Sequence, residues 1–154
     1  MQEDAPFALL EEMAARQVMV EICLTSNDGI LGIRGNEHPL NTYIKYGVPV
    51  ALATDDEGVS RSDMTNEYVK AVREQGLDYL QLKRMARTSL QHAFIDGAAL
   101  WLDGKFISII QPCAADKPSH GGPSRSCQQF LASNDKARLQ WQLERAFAEF
   151  EGHY

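Results

Sequence analysis

The sequence lacks any apolar run of the roughly 18–20 residues that a membrane-spanning helix needs. It is also poor in metal ligands, with 3 cysteines and 4 histidines and with no Cys-x-x-Cys or His-x-His pair, so no complete metal site is encoded locally. Basic residues are the minority, since 15 Lys and Arg against 21 Asp and Glu give a net charge of −6. That balance argues against a nucleic-acid backbone or an anionic membrane as the main partner.

What is present is an ordinary globular composition, with 154 residues of which 44% are hydrophobic, enough for one domain with a sizeable core. Two apolar runs predict strands buried on both faces, over 18–24 and 49–55. Between them, Pro39 and Gly47 bound a short helix over 39–46. A strand, a helix and a second strand form a βαβ unit, which predicts that the two strands pair in parallel.

Helical periodicity and capping residues predict four further helices, over 6–16, 64–75, 79–95 and 135–151. The last of these carries its large apolar side chains at helical spacing: Leu139, Leu143, Phe147 and Phe150. The run 106–110 is apolar but too short to assign, and 112–126 reads as a polar loop rich in proline and glycine.

The second apolar run ends in Asp55-Asp56-Glu57-Gly58. If the strand continues to Asp55, alternation places this carboxylate above two small alanines, Ala51 and Ala53, which leave room over them. Asp55 would then lie at the carboxyl end of a parallel strand, where α/β barrels place their active sites. The plainer interpretation is that the acids only end the strand and begin a turn.

Two parallel strands cannot form a stable sheet by themselves, because their outer edges expose unpaired backbone groups. Buried parallel strands also occur in (β/α)₈ barrels, but such a barrel needs about 250 residues. The physics therefore predicts that part of the fold is missing from this sequence.

Three motifs, in order and at matching spacing, resemble the adenosine deaminase family, in particular its larger bacterial members. They are Val20-Glu21-Ile22-Cys23-Leu24-Thr25-Ser26-Asn27, His38-Pro39-Leu40, and Gly47-Val48-Pro49-Val50 followed by Thr54-Asp55-Asp56. The resemblance implies the α/β class and the C-terminal part of a (β/α)₈ TIM barrel, with its last two strands and closing helices. Residues 1–100 would hold strands seven and eight, and 101–154 would be a C-terminal helical extension of the same domain.

The resemblance also implies roles for the acid pair. Asp55 matches the aspartate that binds the family's catalytic zinc, and Asp56 matches the neighbour that contacts the purine ring of the substrate. In the intact family, zinc lowers the pKa of a bound water, the resulting hydroxide attacks C6 of adenine, and ammonia leaves.

Four further residues of the first motif are implied to support the site without touching the substrate. Glu21 and Cys23 would face the barrel interior near the site. Ser26 and Asn27 would lie at the top of strand seven and shape its loop. A glutamate within a strand is costly to bury unless it is paired, so an exposed edge position is the alternative for Glu21.

The family's other functional residues, histidines on its first, fifth and sixth strands and a glutamate on the fifth, match nothing here. His38 precedes Pro39 and is interpreted as a helix cap rather than a ligand, and the remaining histidines, His92, His120 and His153, are expected to be solvated. One aspartate cannot hold a zinc ion that needs at least three protein ligands. No catalytic residue is therefore assigned, and the chain by itself is expected neither to hold the single zinc ion nor to be an enzyme.

The resemblance thus implies zinc-dependent hydrolytic deamination of adenosine to inosine by a longer protein, with a purine nucleoside and the missing N-terminal part of the barrel as partners. One alternative is a non-catalytic remnant or a module that binds a partner through its open sheet edge. Another is deamination of a different purine nucleoside or of a nucleotide, whose phosphate could meet Arg61. The rest of the motif offers no basic residue, which favours the nucleoside.

Two cysteines leave the compartment open. Cys113 and Cys127 flank the 112–126 loop, whose glycines and prolines could let them meet as a disulfide. A disulfide would favour an exported, periplasmic protein, and two reduced thiols a cytoplasmic one.

Overall fold

The computed structural model describes residues 6–119 and 121–153, which leaves His120 outside the described residues. Its chain divides into two compact units, 1–89 and 90–154. No helix in the described ranges is long and apolar enough to cross a membrane. The regular elements, in chain order, are α1 (Pro6–Ala15), β1 (Val20–Ile22), α2 (Leu24–Ser26), α3 (Leu40–Lys45), β2 (Val50–Leu52), α4 (Glu57–Ser60), α5 (Met64–Gln75), α6 (Tyr79–His92), α7 (Arg125–Ala132) and α8 (Asp135–Glu151).

The first unit is built on a parallel pair of strands, as the βαβ pattern predicts. β1 and β2 pair in parallel with Val20 opposite Val50 and Ile22 opposite Leu52, and α3 lies between them in the chain. All three residues of β2 are buried, as predicted, whereas the prediction was wrong for β1, in which Glu21 is exposed. Within the described residues the sheet has these two strands only, so each strand has one unpaired edge.

Both strands are shorter than the predicted 18–24 and 49–55. Backbone pairing extends only from Val20, whose N–H donates to the Pro49 carbonyl, to Ala53, whose N–H donates to the Ile22 carbonyl. After β1 the chain enters α2 at Leu24. After β2 the extended backbone does not continue through Asp55, because this residue adopts a left-handed conformation.

Helix caps in the first unit follow the sequence signals. The Asp63 side chain accepts a hydrogen bond from the Asn66 N–H at 2.7 Å and begins α5, which ends at Gly76 with φ +68°. Asp78 and Gln81 exchange bonds between side chain and backbone at the start of α6, in the capping-box arrangement. α6 ends at His92 rather than at the predicted residue 95.

These helices cover the sheet and form the first core. Its buried side chains are Ile22, Leu24, Leu40, Val50, Leu52, Ala71, Leu77 and Met85. α1 contributes no buried residue, although Phe7 stacks on Tyr46 with ring centroids 5.4 Å apart.

The second unit has a separate core around two tryptophans. Trp101 and Ile109 form an isolated antiparallel bridge, so the unassigned run 106–110 includes a residue in an extended, antiparallel pairing. The buried side chains are Leu100, Trp101, Phe106, Cys113, Cys127, Leu131, Ala137 and Trp141. The predicted division after residue 100, with the second part an extension of the same domain, stays a prediction.

Two features of this unit differ from the sequence interpretation. The polar segment 112–126 ends in a helix, α7, whose cap is the Ser124 hydroxyl accepting the Cys127 N–H at 3.4 Å. A third feature, the disulfide between Cys113 and Cys127, is one of the two alternatives that the sequence left open. In α8 the buried face is not the predicted aromatic and leucine stripe, but one that alternates apolar and polar groups: Ala137, Gln140, Trp141 and Glu144.

Candidate functional site

The candidate site lies where the two parallel strands end. Asp55 follows β2 by three residues and has φ +56°, a left-handed conformation that Asp tolerates better than most residues. Strand alternation therefore does not reach Asp55, and the sequence argument that placed it on the face of Ala51 and Ala53 was wrong. Its exposed side chain is oriented by the turn and not by the pleat of the strand.

The neighbouring strand supplies the group that holds Asp55. Ser26 lies in the turn of α2 directly after β1 and is buried, with 7% of its surface exposed. Its Oγ donates a hydrogen bond to Asp55 Oδ2 at 2.7 Å. Because the ends of adjacent parallel strands meet at one edge of the sheet, a serine and an aspartate that are 29 residues apart come together here.

Asp56 has a different environment from its neighbour. Its backbone is extended, and its carbonyl oxygen accepts the N–H groups of Val59 and Ser60, at 3.1 and 2.9 Å, which begins α4. Its side chain makes no capping bond and is exposed. The Asp56 carboxylate is thus available to a ligand, whereas one oxygen of Asp55 is already bonded.

Both aspartates line a groove of about 420 Å³ between the two strand-end loops. The wall after β1 adds an acid, Asp28, and one large exposed apolar side chain, Ile30; the wall after β2 adds Val59. The full lining is Thr25, Ser26, Asp28, Gly29, Ile30, Asp55, Asp56, Val59 and Ser60. A groove lined by both apolar side chains and carboxylates suits a flat ring that carries a few hydrogen-bonding groups.

Asp28, which lines the groove, forms an ion pair with a lysine of α5. Lys70 of α5 contacts the Asp28 carboxylate at 3.0 Å and Glu74 at 3.5 Å. Burial opposes the charge on Lys70, but the bonds to Asp28 and Glu74 outweigh it and raise the pKa of Lys70 above its ordinary value. The ion pair holds the loop after β1 against α5.

Glu67, which the sequence analysis did not single out, is the most buried charged residue near the site. It lies on the first turns of α5 and is 0% exposed. Its two carboxylate oxygens accept bonds from the Thr25 N–H at 3.2 Å and from the Ser62 hydroxyl at 2.7 Å. The available signal was spacing, because Glu67 shares a helix face with the buried Ala71 and Gln75.

The other implied supporting residues lie at varying depth. Glu21 is exposed in β1, which matches the edge alternative, and Cys23 is a half-buried free thiol. Burial and the nearby carboxylates of Asp55, Glu21 and Glu67 raise the pKa of Cys23, although a bond from the Asp55 backbone opposes this, so the thiol stays protonated near neutral pH. Asn27 continues the turn after α2 and uses its backbone there, accepting the Ile33 N–H at 3.2 Å.

The three histidines that the structure describes do not line this groove. His38 Nδ1 accepts the Leu40 N–H at 3.2 Å and so satisfies the first N–H of α3, although the N-cap position itself is Pro39; burial lowers the pKa of His38. His92, expected to be solvated, is instead half-buried, and burial together with the Lys136 charge lowers its pKa. His153 is exposed.

The donor set does not amount to a metal site. Among the described residues, no three His, Cys, Asp or Glu side chains come close enough together to hold a metal ion. Asp55 has one carboxylate oxygen held by Ser26 and could supply a single ligand. A complete site would need donors from outside these residues.

Three comparisons with known proteins agree on a family. The sequence model described as Adenosine deaminase matches residues 1–99. An aminodeoxyfutalosine deaminase from Streptomyces coelicolor is 36% identical over 89 residues, covering 57% of this chain and 23% of that protein. An adenosine deaminase from Shewanella loihica is 38% identical over 88 residues, covering 56% and 27%. An adenosine deaminase from Escherichia coli strain SE11 is 34% identical over 89 residues, covering 57% and 27%.

A solved structure points the same way. "The structure of the ADAL-IMP complex" aligns with a TM-score of 0.51 at 30% identity, covering 61% of this chain and 27% of that one. Together with the family match, this likeness indicates a fold derived from a TIM barrel. The chain spans about a quarter of the length of the curated relatives it matches.

Proposed function

Because the chain belongs to the adenosine deaminase family, we propose that it is the C-terminal part of a purine deaminase that hydrolyses adenosine to inosine. Water replaces the 6-amino group of the purine, and ammonia is the second product. The resemblance is to deaminating hydrolases, and homologues of two substrate types support purine deamination in general. Within purine deamination, we propose adenosine as the specific substrate.

The observation that carries the proposal is the groove at the strand ends. Its lining presents one restrained carboxylate, Asp55, beside one available carboxylate, Asp56, together with the apolar side chains of Ile30 and Val59. Apolar side chains can cover the faces of a purine ring, and its exocyclic amine can donate to the available carboxylate. Asp56 would therefore orient the ring.

We place the chain at strands seven and eight of the barrel, followed by the closing helices. The parallel β1–β2 pair, with one unpaired edge on each strand, supports this placement because a barrel would supply a neighbour at both edges. The same open edges would serve a partner-binding module, which is the alternative. An open reading frame upstream of Met1 that encodes the missing histidines and glutamate would favour the deaminase.

Zinc is proposed as the metal of the complete protein, with Asp55 as one ligand. When bound in such a barrel, zinc would supply an activated water. The described residues do not form the site, so the contribution of this chain is limited to holding Asp55 in place.

A nucleotide substrate is the second candidate, since the solved neighbour is described as a complex with IMP. A 5′-phosphate needs basic groups, and Arg61 is exposed just beyond α4. The groove lining contains three carboxylates and no Lys or Arg, which disfavours a phosphate there. The nucleoside is therefore the better candidate.

The deciding experiment uses the protein extended by its upstream segment. Purified protein is assayed for ammonia release from adenosine and from its 5′-monophosphate, and its metal content is measured. We expect one zinc per chain and turnover of the nucleoside. Asp55→Ala should lose metal and activity together, whereas Asp56→Ala should keep the metal and lose roughly a hundredfold in rate, as expected for a misoriented substrate.

Glu57→Ala is the matched control, because Glu57 is the next carboxylate in the chain, is exposed and does not line the groove. It should keep both metal and rate. If Asp55→Ala and Asp56→Ala retain metal equally, the division of roles between them is wrong. If the extended protein deaminates no purine, the proposed function fails.

A further inference from the structure

Glu67 is a carboxylate buried where an apolar side chain would be expected. It shares the inner face of α5 with Ala71, which is also 0% exposed. Burying a carboxylate is costly unless its oxygens are hydrogen-bonded, and both oxygens of Glu67 are. Among the described residues its hydrogen-bond partners are a backbone N–H and a hydroxyl, so the role of Glu67 is found in the groups that it joins.

Those groups belong to the two loops that form the groove. Thr25 lies in the turn after β1, and Ser62 closes the loop after β2. Thr25 and Ser62 also contact each other, with Ser62 Oγ and Thr25 Oγ1 3.2 Å apart, and the Asn66 side-chain amide donates to both hydroxyl oxygens at 3.1 Å. Glu67 and Asn66 thus fasten both loops to the beginning of α5.

The Glu67 bond to Thr25 is connected to Asp55 through a single residue, Ser26. Thr25 directly precedes Ser26, the residue that donates to Asp55. The loop from Asp55 to Ser62 contains two left-handed non-glycine residues, Asp55 and Arg61, with φ of +56° and +50°. Backbone strain of this kind persists only where surrounding contacts hold it. Ser62 at one end and Ser26 at the other supply such contacts, and Glu67 bonds directly to Ser62 and to the neighbour of Ser26.

We propose that Glu67 is a positioning residue, which fixes the Ser26–Asp55 pair and the Asp56 loop by joining the backbone of Thr25 to the hydroxyl of Ser62. The proposal rests on the proposed function for its effect on rate, but its structural part can be tested without any activity. Glu67 itself touches no substrate.

The test compares three variants of the extended protein: Glu67→Ala, Glu67→Gln and Gln75→Ala. Gln75 is the matched control, because it is a buried polar residue of the same helix whose side chain bonds elsewhere, to the Gly35 carbonyl at 2.7 Å. Amide hydrogen exchange is read at Thr25, Val59 and Ser60, and kcat and KM are measured for adenosine.

We expect Glu67→Ala to raise exchange at all three amides and to lower kcat about 10–100-fold, the usual range for a residue that orients a functional group. Gln75→Ala should lose comparable thermal stability but leave these amides and kcat unchanged. Glu67→Gln should restore both readouts, because an amide oxygen can accept the Thr25 N–H while the amide nitrogen bonds to the Ser62 oxygen.

The proposal is overturned if Glu67→Ala matches Gln75→Ala in kcat, or if the Val59 and Ser60 amides stay protected in Glu67→Ala. If the parent protein shows no deamination, the proposed function fails and the exchange data alone decide the role of Glu67. Unchanged exchange at Thr25 in Glu67→Ala would then reject it.

Discussion

Breaking the Cys113–Cys127 disulfide should destabilise the second unit. The bond joins residues 14 apart, and both cysteines are 0% exposed. Cross-linking a loop of this size removes chain entropy from the unfolded state and contributes about 3 kcal/mol. With a urea dependence of about 1 kcal/mol per M for a small unit, the urea midpoint should fall by about 3 M on reduction.

The chain carries its own reporter for this measurement. Its 2 tryptophans, Trp101 and Trp141, are both buried in the second core, so intrinsic fluorescence follows the unfolding of that unit. Urea unfolding is recorded at low protein concentration with and without dithiothreitol. The double variant Cys113→Ala/Cys127→Ala is the control, and it should unfold at the lower midpoint and be indifferent to the reductant.

A thiol titration of the denatured, non-reduced protein gives an independent count. One free thiol, that of Cys23, is expected. Three thiols, or a midpoint that reductant does not move, would refute the reasoning. A stable disulfide would favour the periplasmic alternative over the cytoplasmic one, since disulfides are rare in the cytoplasm.

Two further predictions follow from the open sheet and from a buried histidine. Expressed by itself, the chain should release no ammonia from adenosine, because it lacks most of the metal site. It should also elute broadly in size-exclusion chromatography and exchange the amides of β1 and β2 fast, because each strand has an unpaired edge among the described residues. A sharp monomer peak with both strands protected would contradict this. Lowering the pH through and below 6.5, the ordinary histidine pKa, should destabilise the first unit of the extended protein, since burial lowers the pKa of His38 and the unfolded chain takes up the proton first. His38→Asn keeps a capping acceptor and should flatten the slope of stability against pH, whereas the same change at exposed His153 should not; equal slopes in the two variants would exclude His38 as the cause.

The fold was predictable where the sequence signal is local. Caps at Asp63 and Asp78, and glycine after α5, set helix limits that the structure reproduces. The βαβ pattern also predicted the parallel pair. α7 was missed because its cap, Ser124, lies within a stretch of proline, glycine and serine that reads as a loop.

Tertiary context decided the rest. In α8 the large apolar side chains suggested the inner face, yet Gln140 is buried because its side chain accepts the Leu100 N–H at 2.7 Å and donates to Gln91 at 2.8 Å. Periodicity counts apolar residues and cannot register such long-range bonds. Glu67 was overlooked for the same reason, since its partners lie 42 and 5 residues away.

The acid pair combines both kinds of information. Its identity came from a motif, but its geometry came from a left-handed turn that alternation along a strand cannot predict. That turn makes two adjacent aspartates unlike each other: Asp55 is bonded to a buried serine that Glu67 holds through Thr25, and Asp56 remains extended and exposed. A restrained carboxylate is suited to act as a metal ligand, which must keep one orientation. An available carboxylate is suited to contact a substrate that binds and dissociates. The difference between the neighbours is thus a consequence of backbone conformation, and it supplies the physical basis for giving them separate roles.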